Sequence, residues 1–164
     1  MIMIQNYVNG RFVRTKETLD NISPATGEII AAIPRSKSED VEEAILAADQ
    51  ARKSWSSLGL DKRRRWLEKI ANALELRSEE IAKLESLDTG KPIRLARAVD
   101  ASRSIANFRF FADFSKDFQE EKFEMDDATN HVIFKPVGVA GLITPWNLPL
   151  YLLSWKIAPA IVMG

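Results

Sequence analysis

The 164-residue chain carries 23 basic and 23 acidic residues, one histidine and no cysteine. Zero net charge argues against a broad electrostatic surface for nucleic acid, and the missing thiol excludes a disulfide framework, a thiolate metal site and a cysteine nucleophile. The length suits one domain, able to bury ~70% of its unfolded surface if it closes on itself.

Met1-Ile2-Met3-Ile4 has no basic leader and is soon broken by Gln5 and Asn6, so no signal peptide is expected, and a soluble, cytoplasmic protein is. Asn9-Gly10, between the β-prone runs Tyr7-Val8 and Arg11–Val13, is the strongest local hairpin signal. Pro24-Ala25-Thr26-Gly27 then turns the chain from Leu19–Ile22 into Glu28–Ile33, and Pro34 ends that strand.

Helices follow. Ser36 and Glu39 fit a capping box, with Ser38 as the rival cap. Val41, Ala44, Ile45, Ala48, Ala51, Trp55 and Leu58 recur at helical spacing and predict a buried face. Gly59 breaks that helix. Asp61 suits the next cap, with Trp66, Leu67, Ile70, Ala71 and Leu74 inward and Arg63, Arg64 and Arg65 on a solvated face. A third helix from Ser78, with Ile81, Leu84 and Leu87, is stopped by Thr89-Gly90 and Pro92. Ile93 to Phe118 is the longest periodic segment, its phenylalanine stripe read as core. Phe123 to Pro136 alternates like a hairpin, with the turn at Asp126–Asn130 and His131 on a surface strand.

The run Val139 to Ile143 has a strand's length, and Thr144 before Pro145 is biased to extended geometry. Asn147 stands where the helix Leu148–Met163 starts. Strand, tight turn and helix start are where α/β sheets place ligands. Asn147 either caps the helix or donates its amide N–H to a substrate oxygen, and spacing leaves both open. The apolar stretch from Leu148 to Gly164 approaches a membrane span in length, but Lys156, Pro149 and Pro159 count against spanning.

The run Lys135 to Ala160, with its Pro145-Trp146-Asn147 triplet and Trp155-Lys156 pair, resembles the aldehyde dehydrogenase superfamily. So do Asn21–Gly27, Leu87–Pro92 (Leu-Asp-Thr-Gly-Lys-Pro) and Asn107–Ala112. The likeness covers nearly the whole chain but only the family's N-terminal portion. Within the superfamily, the segments at 107–112 and 142–160 look most like 2-aminomuconate and 2-hydroxymuconate semialdehyde dehydrogenases, with betaine-aldehyde-like enzymes as the near alternative.

The resemblance implies an α/β fold with an incomplete sheet. Residues 1–122 and 137–164 would belong to a doubly wound, Rossmann-like cofactor domain, and 123–136 to an oligomerisation hairpin. It implies Asn147 as oxyanion donor and the backbone from Ile143 through Thr144 and Pro145 to Trp146 along the nicotinamide ribose of NAD or NADP, with NAD favoured. Leu148, Leu152 and Trp155 would wall the tunnel for a small aldehyde, although a core-facing stripe fits their spacing equally. Lys156 takes a positioning or proton-relay role, with a snorkelling helix lysine as the simpler account. Asn21, Ile22 and Asp88 would lie by a monovalent cation, although a turn and an exposed acid account for them equally. The family's nucleophile, general base and adenosine-ribose lysine lie beyond residue 164, and Ile161–Gly164 departs from the alanine-rich pattern usual there. An inactive piece docking on full-length subunits is therefore the alternative to a dehydrogenase, and a homo-oligomer through 123–136 is expected of the whole. Neither nucleic acid nor membrane is expected as a partner.

Overall fold

Asn9 and Gly10 both take positive φ, 50° and 77°, as a type I′ turn demands. They join β2 (Asn6–Val8) to β3 (Arg11–Val13) as an antiparallel hairpin. This computed structural model describes residues 2–164, so Met1, the first residue of the expected leaderless start, lies outside the described residues. β4 (Thr18–Ile22) and β5 (Ile29–Pro34) pair antiparallel across the Pro24–Gly27 turn. The short β1 (Ile2–Met3) adds parallel to β5, which gives a three-stranded sheet in the order β1-β5-β4.

α1 (Ser38–Ser56) starts from Lys37 and not from Ser36. The Asp40 carboxylate accepts from the Lys37 backbone N–H at 2.8 Å, while Ser36 Oγ accepts from the Asn6 amide. The buried face expected of α1 is absent: Val41 is 52% and Ile45 49% exposed. Only its end is well covered, where Trp55 is half-buried and donates from Nε1 to the Ile161 carbonyl at 2.8 Å. α2 (Leu60–Leu76) starts after Gly59 at φ 73°, with Asp61 in its first turn and not at its cap. Leu67 and Ala71 are fully buried, whereas Trp66, expected inward, is 46% exposed beneath the Lys69 ammonium.

Arg63 corrects the solvated-face expectation. It is buried, donating to the carbonyls of Ser56 and Val162, each at 2.8 Å. A lone cation there satisfies last-turn carbonyls that a helix cannot pair internally, and its depth is visible only once α6 is in place. Burial holds its guanidinium below the ordinary arginine range.

α3 (Ser78–Thr89) ends on Gly90, left-handed at φ 72°. A Cβ there would come within 2.8 Å of Pro24 Cγ, so this glycine both ends the helix and admits the Pro24–Gly27 turn. The long segment expected over 93–118 is α4 (Ile93–Leu95), a π turn (Ala96–Ala101) and α5 (Ser102–Phe114) in one run. The wider turn changes the phase of the faces, so Leu95 is exposed while Ile105 and Phe108 are buried. Phe114 also faces out, because Ala112 and Ser115 take the inner positions.

The expected hairpin over 123–136 is shorter: β6 (Lys122–Glu124) pairs with β7 (Thr129–His131), both exposed. Val139–Thr144, expected as a core parallel strand, forms no hydrogen-bonded ladder. A strand exists only with a partner, and none of the described sheets includes this segment. α6 (Pro149–Met163) completes the main core, where Ala158 and Val162 pack with Leu67 and Ala71 of α2 and Ile105, Phe108 and Ala112 of α5. No described helix is long and apolar enough to cross a membrane.

The architecture is thus mixed α/β with small, incomplete sheets around a three-helix core. Its accessible surface is 11665 Å², against about 8,200 Å² for a compact monomer of 18.5 kDa. The excess includes Val137 at 99% and Ile143 and Trp146 at 84% exposure. Purified alone, the chain is expected to self-associate and melt broadly, because open apolar faces and unpaired backbone seek partners. A sharp, cooperative melt from a strictly monomeric sample, checked by sedimentation, is the contrary result.

Candidate functional site

The Pro145-Trp146-Asn147 turn stands in front of α6 and is braced from behind. Lys156, about two turns into α6, donates from Nζ to the Ile143 carbonyl. Lys91, just past Gly90, donates from Nζ to the Asn147 carbonyl at 3.1 Å. The same ammonium meets Asp100 Oδ1 at 2.6 Å, with the Lys91 side chain 12% exposed and Asp100 fully buried. The residues between these two lysine contacts form no helix or ladder.

The open question at Asn147 concerned helix capping. The cap position of α6 is Leu148, and no side-chain bond is made from it. The first-turn N–H of Leu150 is instead accepted by Glu85 Oε1 of α3 at 3.1 Å. Asn147 lies one residue outside the cap, its side chain exposed and without a hydrogen bond to any other described residue. Burial pushes the Glu85 carboxyl above its usual range, with nearby Asp100 and Asp88 adding to the effect and the Leu150 N–H and Lys91 opposing it. Glu85 Oε2 and Asp100 Oδ2 are buried with no hydrogen-bond partner among the described residues, so the layer under the turn is polar as well as buried.

Leu148, Leu152 and Trp155 recur at i, i+4 and i+7 and share one side of the helix start. Leu148 and Leu152 are half-buried and Trp155 is 44% exposed. Trp155 is fixed by an edge-on contact with Phe111, ring centroids 5.9 Å apart. With the Asn107 amide turned to satisfy its neighbours, Trp155 Nε1 also donates to the Asn107 oxygen at 3.2 Å. α5 therefore sets the angle of this indole. Ile143, Pro145 and Trp146 are exposed and Thr144 is half-buried, leaving this backbone open to a ligand from one side.

Asn21 and Asp88 are also brought together. Asn21 Nδ2 donates to Asp88 Oδ1 at 2.6 Å, tying β4 to the end of α3, whereas the Ile22 side chain is 55% exposed. His131 is remote from all of this on β7. Sequence reasoning had passed over Lys91, Asp100 and Glu85. A signal existed: Asp100 is the one acid in Ala96-Arg97-Ala98-Val99-Asp100-Ala101, flanked by the small or apolar Ala98, Val99 and Ala101 that a buried helix face favours.

Comparison with known proteins accords with this geometry. The profile of the Aldehyde dehydrogenase family matches residues 12–164. The human 2-aminomuconic semialdehyde dehydrogenase is 45% identical over all of this chain and 34% of its own length. The 2-hydroxymuconic semialdehyde dehydrogenase of Pseudomonas sp. (strain CF600) is 38% identical over 98% of the chain and 35% of its own. The crystal structure of PnpE from Pseudomonas sp. WBC-3 superposes with a TM-score of 0.94 at 41% identity, covering 99% of this chain and 34% of that one. PnpE has also been solved in complex with nicotinamide adenine dinucleotide. The chain spans about a third of the length of the curated relatives it matches, and it corresponds to their N-terminal part.

Proposed function

The chain belongs to the aldehyde dehydrogenase family, and from that premise we propose that it supplies the oxyanion donor and the nicotinamide-side wall for NAD(P)-dependent oxidation of a semialdehyde to a carboxylic acid. One observation carries this reading. The Asn147 amide is exposed at a braced turn and is not engaged by α6, whose first N–H belongs to Glu85. Negative charge develops on the carbonyl oxygen as a nucleophile adds to an aldehyde. A fixed N–H donor at that point favours the transition state over the ground state. Leu148, Leu152 and Trp155 would keep water from the reacting carbon.

The exposed backbone at 143–146 fits a ribose because it belongs to no ladder, with the Ile143 carbonyl held by Lys156 and the rest facing out. NAD(P) bound there would supply the hydride acceptor. NAD is favoured over NADP because PnpE, similar over this chain, is known with NAD bound. A semialdehyde is favoured because the relatives of highest identity quoted above are named for one. Residues 123–136 take the role of an oligomerisation hairpin, supported by the exposure of Phe123, Met125, Ile133 and Phe134. Asn21, Ile22 and Asp88 retain the monovalent-cation reading, for which the Asp88 carboxylate, met by Asn21 at Oδ1, supplies the negative charge.

The 164 residues alone are expected to oxidise no aldehyde with either nicotinamide cofactor, since no cysteine is present to supply a thiolate. The completed enzyme, this chain joined to the segments its relatives carry beyond it, is expected to reduce NAD with 2-hydroxymuconic semialdehyde. Spectrophotometric assay of both proteins checks this. Aldehyde-dependent NADH from the purified short chain would overturn the first part, and an inert but folded completed enzyme the second.

A further inference from the structure

The asparagine that would bind the oxyanion sits on a segment with little of its own to hold it. Ile143 and Trp146 are 84% exposed, and no strand or helix bond fixes the backbone between them. Yet an oxyanion donor is effective only when its direction is set beforehand, because reorienting it during reaction would consume the gain. What sets it lies beneath the turn. The π turn of residues 96–101 carries Asp100 into the interior, where Asp100 holds the Lys91 ammonium at 2.6 Å. Lys91 then reaches the Asn147 carbonyl at 3.1 Å.

Each partner is itself anchored by its backbone. Ser104 Oγ donates to the Asp100 carbonyl at 2.6 Å, and Ser86 Oγ donates to the Lys91 carbonyl at 2.7 Å. Gly90, left-handed and close to the Pro24 ring, leads the chain into Lys91. A buried ion pair is seldom a source of net stability, because desolvation offsets the attraction. Its third contact, to a carbonyl of the turn, gives this one another use.

We propose that Lys91 and Asp100 are positioning residues for the reaction: the buried pair fixes the Asn147 carbonyl and so aims the Asn147 amide at the aldehyde oxygen. The inference rests on the oxyanion role of Asn147 and extends it to two residues that do not touch substrate.

The test is made in the completed enzyme with Lys91→Met and Asp100→Leu together, which removes both charges and leaves neither buried alone. The expected result is a thermal midpoint near that of the parent, kcat lower by ~10- to 100-fold and aldehyde KM within about twofold, as for a donor displaced without loss of ground-state binding. A merely structural pair predicts normal turnover once the charges are gone. Should that variant not fold, Lys91→Gln with Asp100→Asn keeps a polar, mutually bonded pair but shortens the donor arm away from Asn147, and the same loss is expected. Normal kcat in either folded double variant, with Asn147→Ala still collapsed, overturns the positioning role and leaves the oxyanion reading standing. Normal kcat in Asn147→Ala overturns both.

Discussion

Replacing Asn147 with alanine in the completed enzyme is expected to lower kcat by ~10²–10³, the usual cost of losing one oxyanion donor. Aldehyde KM should move much less, because the bond strengthens only as charge builds on oxygen. A capping role would instead cost ~1 kcal/mol of stability and leave turnover per folded molecule intact. The structure sharpens the contrast. Leu148 occupies the cap position and Glu85 accepts the Leu150 N–H, so Asn147→Ala should leave the melting temperature unchanged. Asn147→Asp adds a second discriminator: aspartate is nearly isosteric, but it places a negative charge against the developing oxyanion. Kinetics and melts on one preparation decide the matter. A normally active Asn147→Asp enzyme would rule out the oxyanion role, and a fall in melting temperature without a fall in kcat would restore the cap.

What could be read from the sequence was whatever local chemistry dictates. The Asn9-Gly10 hairpin follows from two residues that accept positive φ, and the stop at Gly90 from the left-handed turn that ends α3. The Pro-Trp-Asn turn stood out as a candidate site because a run of strand length, a pre-proline residue and a helix start converge there. The misses are non-local. Arg63 looked like one of three solvent arginines, and only the carbonyls of Val162 and Ser56 reveal its buried role. Val41 and Ile45 have a core pattern, yet the described elements leave each about half exposed. The same holds for Val139–Thr144, whose β-prone run lacks a ladder because hydrogen bonding is a property of pairs. The π turn had no periodic signature, since a helix that widens for one turn keeps an apolar composition while changing phase. Lys91 was quoted within a motif but had no partner until the fold brought Asp100 and Asn147 to it.

The largest stability effect is expected at Leu67. Its side chain is fully buried where α2 meets α5 and α6, packed with Ala71, Ile105, Phe108, Ala158 and Val162. Leu67→Ala removes this burial and leaves a cavity that three crossing helices cannot readily close, so the loss is expected to be ~2–5 kcal/mol. Trp66, the preceding residue, has the larger side chain, and a pattern-based ranking would make it the more damaging truncation. It is 46% exposed, and its definable contact is the Lys69 ammonium 4.3 Å above the ring, an interaction worth ~0.5–1 kcal/mol at exposed sites. Trp66→Ala should therefore cost no more than about 1–2 kcal/mol, that contact together with partial side-chain burial. Urea unfolding of the two variants beside the parent, at one protein concentration so that association is held constant, gives the comparison directly. A Trp66→Ala loss equal to or above that of Leu67→Ala would mean that the α2 face carrying Trp66 is turned inward and that the helix is packed differently from the arrangement described. The expected order is the reverse. Because the open chain has little stability in reserve, Leu67→Ala should flatten its already broad transition while Trp66→Ala only shifts it.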